Sequence, residues 1–155
     1  MLTVAKTGSG NFQSISAALT ELEKHPEYPK TIYIQSGIYK ERVTLHTPGI
    51  TLIGENPADT IITEGLYANM DMPDNSKRGT FRSYTMLVDA DNITLKNLTI
   101  ENSAGDGRKV GQALALYADG DQLCVQNCRL LGHQDTLFTG PLPPREREPG
   151  GFTGP

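Results

Sequence analysis

Apolar and polar residues alternate along this chain in short bursts, and the bursts repeat. Residues 85–102 (TMLVDADNITLKNLTIEN) align without a gap with residues 115–132 (ALYADGDQLCVQNCRLLG) at an offset of 30. Asp89, Asp91 and Asn97 fall on Asp119, Asp121 and Asn127, while Ile93, Leu95, Leu98 and Ile100 fall on Leu123, Val125, Cys128 and Leu130. Each copy alternates in and out, breaks at a polar pair (Lys96-Asn97, Gln126-Asn127) and alternates again. An earlier, degenerate copy occupies residues 50–54 and 59–62.

Such bursts predict strands of about 3–5 residues joined by residues that tolerate bends. Hairpins need longer matched strands around tight Asn-Gly turns, which this pattern lacks. It suits a coil in which each turn stacks on the one before, so that equivalent strands pair in parallel. The expectation is therefore an all-β, right-handed parallel β-helix. Asn97 and Asn127 are expected to stack with their side-chain amides bonded along the axis. A β-sandwich carrying a chance repeat is the alternative. One helix is predicted: Ser14 caps it, Ile15, Ala18, Leu19 and Leu22 line one face, and the His25-Pro26 pair stops it. Its expected place is the N-terminal end of the stack, as a plug over open strand edges. Residues 1–140 read as the solenoid domain and the Pro/Gly-rich residues 141–155 as a loop or linker. A further copy of Asn127 would fall at 157, beyond the 155 residues, so the stack is expected to be truncated at its C-terminal end.

Composition narrows the function. Apolar residues make up 37 % and charged residues 21 %, an ordinary globular balance. With 14 Lys and Arg against 18 Asp and Glu, the net charge is −4, and no basic stripe exists to neutralise nucleic-acid phosphates. No apolar run approaches the roughly 20 residues of a membrane helix. The first residues lack the blocks of a signal peptide. A cytoplasmic protein is expected if that start is native, and a secreted one if the chain has been trimmed. Cys124 and Cys128 have no second Cys/His pair to complete a metal site, and two buried free thiols are expected. His25 and His46 read as exposed and without partners, and residues 70–78 as a solvated loop. Gly8-Ser9-Gly10 lacks the Lys-Ser/Thr of a phosphate loop.

Candidate chemistry gathers late in the chain. Gln112 precedes an apolar strand, and Gln134-Asp135 lie in Gly132-His133-Gln134-Asp135-Thr136-Leu137-Phe138. Amide NH2 groups donate to an oxyanion without carrying charge, so two of them stabilise a tetrahedral intermediate. An aspartate shielded among aromatic rings acts as general acid and then base. In the plainer reading, both glutamines are bend residues and Asp135 caps a turn.

The blocks Gly-Gln-Ala-Leu-Ala-Leu from Gly111 and Gly-His-Gln-Asp-Thr-Leu from Gly132 strongly resemble the pectin methylesterase (pectinesterase) family. Residues 4–12, 37–43, 50–55, 79–83 and 100–105 agree with it, in family order. The resemblance implies a β-helix that hydrolyses methyl esters of homogalacturonan to free carboxylates and methanol, with no metal or cofactor. It implies that Gln112 and Gln134 stabilise the oxyanion, that Asp135 is the general acid/base, and that Thr80 and Phe81 line the substrate groove. His133 and Phe138 stand where the family often has Tyr, and both keep a flat ring for stacking sugar.

The resemblance also implies a nucleophilic aspartate in an Asp-Phe-Ile-Phe-Gly type motif and an arginine in a Gly-Arg-Pro-Trp type motif. Neither motif occurs in the 155 residues, and the carboxylates after Asp135 are Glu146 and Glu148. Ester cleavage of this kind needs one ionised and one protonated carboxylate, so the chain alone is expected to be inactive. A non-catalytic carbohydrate-binding or structural solenoid is the alternative. A polygalacturonase or a Ca2+-dependent pectate lyase is disfavoured by the Gln-Asp-Thr-Leu block.

Overall fold

The computed structural model describes residues 1–140. The linker expected over residues 141–155 lies outside the described residues. In chain order the strands are β1 (Leu2–Val4), β2 (Thr31–Ile34), β3 (Gly37–Lys40), β4 (Val43–Leu45), β5 (Thr51–Gly54), β6 (Thr60–Glu64), β7 (Met86–Val88), β8 (Thr94–Lys96), β9 (Thr99–Asn102), β10 (Leu116–Ala118), β11 (Cys124–Gln126), β12 (Arg129–Leu131) and β13 (Leu137–Thr139). They form three all-parallel sheets, ordered β1-β2-β5-β8-β11, β3-β6-β9-β12 and β4-β7-β10-β13. From β2 onward, successive strands in the chain step from sheet to sheet, and each coil lies on the last. This is the expected right-handed parallel β-helix.

The offset of 30 is the ladder itself: Thr94, Leu95 and Lys96 pair with Cys124, Val125 and Gln126, and Thr99, Ile100 and Glu101 with Arg129, Leu130 and Leu131. The degenerate copy is real too, with Leu52 beside Leu95 and Ile62 beside Ile100. Inward residues form columns along the axis. Ile32, Leu52 and Leu95 are wholly buried in one, and Tyr39, Ile62 and Ile100 in another. Val125 ends the first column on edge strand β11 at 42 % exposure.

The Asn bends stack by backbone rather than by their side-chain amides. Asn92, Asn97, Gln122 and Asn127 all have φ between 53° and 59°, the left-handed region that Asn enters at little cost. Asn97 N–H donates to Gln126 O at 3.1 Å, and no hydrogen bond joins the Asn97 and Asn127 side chains among the described residues. The expected amide ladder is therefore absent. Where a coil leaves no room for a side chain, glycine stands: a Cβ on Gly54 would run into the Asn97 carbonyl.

Helix α1 (Ile15–Lys24) forms as the pattern predicts. Ser14 Oγ accepts from Ala17 N–H at 3.1 Å, and Ile15, Ala18, Leu19 and Leu22 are buried against the first coil. Its first turn has a second, distant cap: Glu41 accepts from the N–H of Ile15 (3.1 Å) and of Ser16 (2.8 Å), and from Ser16 Oγ. A carboxylate here also meets the positive end of the helix dipole. Glu41→Ala is expected to cost about 2 kcal/mol, read as a lower urea midpoint with an unchanged slope. A midpoint equal to wild type would remove Glu41 from the account of the plug.

Three expectations are corrected. Cys124 is exposed because it stands in register with the outward-facing Thr51 and Thr94, and Cys128, next to the outermost strand of that sheet, is only half-buried. Burial pushes the Cys128 thiol up. His25 is half-buried and partnered by Glu21 and Glu27, each at 3.1 Å, with its ring stacked on Tyr28. His46, exposed as expected, lies 3.8 Å from Asp89. Among the described residues, no helix is long and apolar enough to cross a membrane.

Candidate active site

Outward-facing residues of the β4-β7-β10-β13 sheet make the most chemically distinctive surface. Register places Thr44, Leu87, Tyr117 and Phe138 in one column. Tyr117 and Phe138 meet edge to face with centroids 5.0 Å apart. Phe81, from the short 3-10 turn Thr80–Arg82, leans over both, 5.2 Å from Phe138 and 6.0 Å from Tyr117. Tyr84 continues the row, edge-on to Tyr117 at 6.3 Å. Phe81 is 58 % exposed, so the row presents ring surface to solvent. Such ring faces pack against the apolar faces of a sugar. Burial raises the Tyr117 hydroxyl above its usual pKa, and the Asp119 and Asp89 charges add to this.

The glutamines enter neighbouring rungs on the same side of this sheet. Gln134 O accepts from Ala113 N–H at 3.2 Å, and Thr136 O accepts from Ala115 and Leu116 N–H at 2.9 and 3.1 Å. The segment 134–136 is thereby laid along 113–116 before β13 begins. Gln112 is held from the other side, where its carbonyl accepts from Ala68 N–H at 2.7 Å. The Gln134 side chain rests on the backbone of Gly107, where an added Cβ would come within 2.9 Å of the Gln134 Cβ and collide with its amide oxygen. Gln112 is half-buried, while Gln134 and Asp135 are exposed. Asp135 has a left-handed backbone, with φ 53°. The expected ring-shielded aspartate is therefore not what the fold presents.

Thr80 is half-buried, and its carbonyl accepts from Ser83 Oγ at 2.6 Å. His133 is exposed and stands apart from the aromatic row, near Asp106. The Arg108 guanidinium and backbone N–H hold the Asp106 carboxyl below the usual range, and His133 adds to this. Among the described residues, no group of three or more His, Cys, Asp or Glu is placed to hold a metal ion.

Sequence reasoning missed Tyr84, Tyr117 and the residue that ties the site together, Asn102. Asn102 is 2 % exposed. Its Nδ2 donates to the carbonyls of Leu66 (2.7 Å), Ser83 (3.0 Å) and Leu114 (3.1 Å), and its Oδ1 accepts from Ala104 N–H at 2.9 Å. Ser83 Oγ in turn accepts from Leu114 N–H at 3.1 Å. The turn carrying Phe81 and the strand entry carrying Gln112 are thus pinned to one buried amide. The available signal was a polar residue at the inward end of β9 where the repeat 30 residues on has Gly132.

Three all-parallel sheets wound into one coil, with an aromatic row on an outward face, define the parallel β-helix class of solenoid. The pectinesterase family model matches residues 1–142, and the chain belongs to that family. It is 39 % identical over 137 residues to a probable pectinesterase/pectinesterase inhibitor of Arabidopsis thaliana, covering 87 % of this chain and 23 % of that one. It is 36 % identical to a pectinesterase of Petunia integrifolia, over 88 % of this chain and 35 % of the relative. The pectin methylesterase PemA of Erwinia chrysanthemi superposes with a TM-score of 0.78 at 30 % identity, covering 89 % of this chain and 45 % of PemA. A pectin methylesterase solved in complex with a hexasaccharide superposes equally well, at 31 % identity. The chain spans less than half the length of each of these.

Proposed function

We propose that this segment belongs to an esterase that hydrolyses the methyl esters of homogalacturonan, releasing methanol. The observation that supports the reading is the backbone bond from Ala113 N–H to Gln134 O, which lays Gln134-Asp135 on the rung next to Gln112, in the sheet that carries the Phe81–Tyr117–Phe138 row. The rings seat the sugar, the two amides donate to the carbonyl oxygen as charge develops on it, and Asp135 passes a proton to the leaving methoxide and then takes one from water. Exposure of Asp135 suits this role once a sugar chain covers it, since covering excludes water from the carboxyl. The attacking group is a second carboxylate, and the 155 residues hold no Asp after Asp135. The chain alone is therefore expected to bind without turnover.

The test is methanol release from methylated pectin by a family-length protein carrying this segment. Asp135→Asn is expected to lower it by at least ~10², the lower range for general acid–base groups. Asn suits the left-handed backbone at this position, so folding should be unaffected. Activity within a few-fold of wild type would sink the assignment. Sugar binding with no methanol release from the wild-type protein would favour the non-catalytic solenoid.

A further inference from the structure

We infer that the single helical turn α2 (Gly107–Val110) is a spacer that sets where the Gln112 and Gln134 amides stand, and that Gly107 and Asn69 are positioning residues acting through those amides. This rests on the esterase reading above and extends it to residues outside the reacting groups.

The turn holds itself together by main chain. Asp106 caps it, its carboxyl accepting from Arg108 N–H at 3.0 Å, and Gly111 N–H closes it by donating to Gly107 O at 2.9 Å. No side chain of the turn is buried. Short helices draw most of their stability from packing of an apolar face, and this one has none. Its place is therefore set by what touches its backbone. Two amide side chains do so, one at each end, and each rests on a glycine.

Gly107 stands at the N-terminal end. A Cβ there would come within 2.9 Å of the Gln134 Cβ and collide with the Gln134 amide oxygen. The Gln134 main chain is held separately, its carbonyl accepting from Ala113 N–H at 3.2 Å. Those two points fix the course of the side chain, from the rung of Ala113 back along the turn to Gly107. Gly111 stands at the C-terminal end, with φ 77° and ψ −149°, a pair that suits glycine and strains other residues. Asn69 lies on it: an added Cβ would sit 2.9 Å from Asn69 Nδ2. Asn69 N–H donates to Val110 O at 3.1 Å, and Ala68 N–H to Gln112 O at 2.7 Å. Residues 68–69 thus grip both the end of the turn and the glutamine that follows it.

Gln112 leaves from one end of this turn and the Gln134 amide abuts the other. Gly107 and Gly111 are about 6 Å apart at the normal helical rise. An oxyanion is one small target, and two donors serve it together only when each comes within about 3 Å of it. One methyl wedged at Gly107 displaces the Gln134 amide and leaves Gln112 on its tether. The aromatic row touches neither glycine, so the loss falls on the chemical step and not on sugar binding.

Methanol release by a family-length protein carrying this segment tests the inference, together with NMR of the side-chain amides. Gly107→Ala is expected to lower kcat about tenfold with KM within about twofold. The Gly107→Ala/Gln134→Ala pair is expected to match Gln134→Ala alone, because the added methyl acts only through that amide. Asn69→Ala should behave likewise against Gln112→Ala. Asn69 is exposed, so this second arm stands should circular dichroism show Gly107→Ala unfolded. In the spectrum, Gly107→Ala should shift the Gln134 NH2 signals and leave those of Gln112 in place. A wild-type kcat in Gly107→Ala, a loss confined to KM, or a further tenfold loss in the double variant would each overturn the inference. No methanol from the wild-type protein would end the esterase reading. The spectrum then decides the spacer by itself, and unmoved Gln134 signals would overturn it.

Discussion

Asn102→Ala is expected to cost about 3 kcal/mol of stability, the largest loss from any single polar substitution in the described coils. The substitution takes the side-chain donor from the buried Ser83 carbonyl and the part-buried Leu66 carbonyl, leaves Leu114 O with Thr85 N–H alone, and takes the acceptor from Ala104 N–H. Buried polar groups without partners cost far more than the net worth of the bond they lose. Asn102→Asp is no remedy, since it aims an acceptor at three acceptors. Urea unfolding measures the loss. Hydrogen exchange at Leu114, whose N–H is held by Ser83, separates local loosening from global loss. Stability within about 0.5 kcal/mol of wild type would show that the site is not pinned through this amide.

Gln112→Ala and Gln134→Ala are each expected to lower kcat by roughly 10²–10³ in a family-length protein, with KM little changed. The reason is timing: an amide aimed at a developing oxyanion is worth most when the charge is present, not when the ester binds. The two substitutions should differ in one respect. Gln134 lies on the Gly107 backbone, so its removal also frees that turn, whereas Gln112 stays tethered through its carbonyl to Ala68. A rise in KM with kcat intact would instead make both residues sugar contacts.

The stack was legible because its signal is periodic and local. A constant offset of 30 between β8–β9 and β11–β12, together with Asn at the bends, leaves one consistent register. The aromatic row was not legible in the same way. Its rungs are spaced unevenly, 30 residues from Leu87 to Tyr117 but 21 from Tyr117 to Phe138, so no single repeat lines them up. Asn102 was hidden for a different reason. Its partners, 36, 19 and 12 residues away, are backbone carbonyls, which carry no mark in a sequence. The exposure of Cys124 was legible in the repeat, since the residue stands in the place of Thr94 on the outward face, whereas the part-exposure of Cys128 depends on its neighbour strand being outermost. The glutamine and aspartate positions were readable as a cluster, yet the exposure of Asp135 depends on how coils end, which spacing does not encode.

Asp135 shares its left-handed backbone with Asn75, Asn92, Asn97, Gln122 and Asn127. Asparagine and aspartate are the non-glycine residues that accept this conformation most readily. The bend and the acid are thus one residue, and Asn and Asp differ by a single oxygen-for-NH2 exchange that one nucleotide change accomplishes. Over evolutionary time, proton-transfer chemistry can be switched on or off at this corner while the coil notices nothing. A descendant with Asn here would fold, stack and hold sugar like its parent, so shape alone is a poor record of which members of such a lineage still do chemistry.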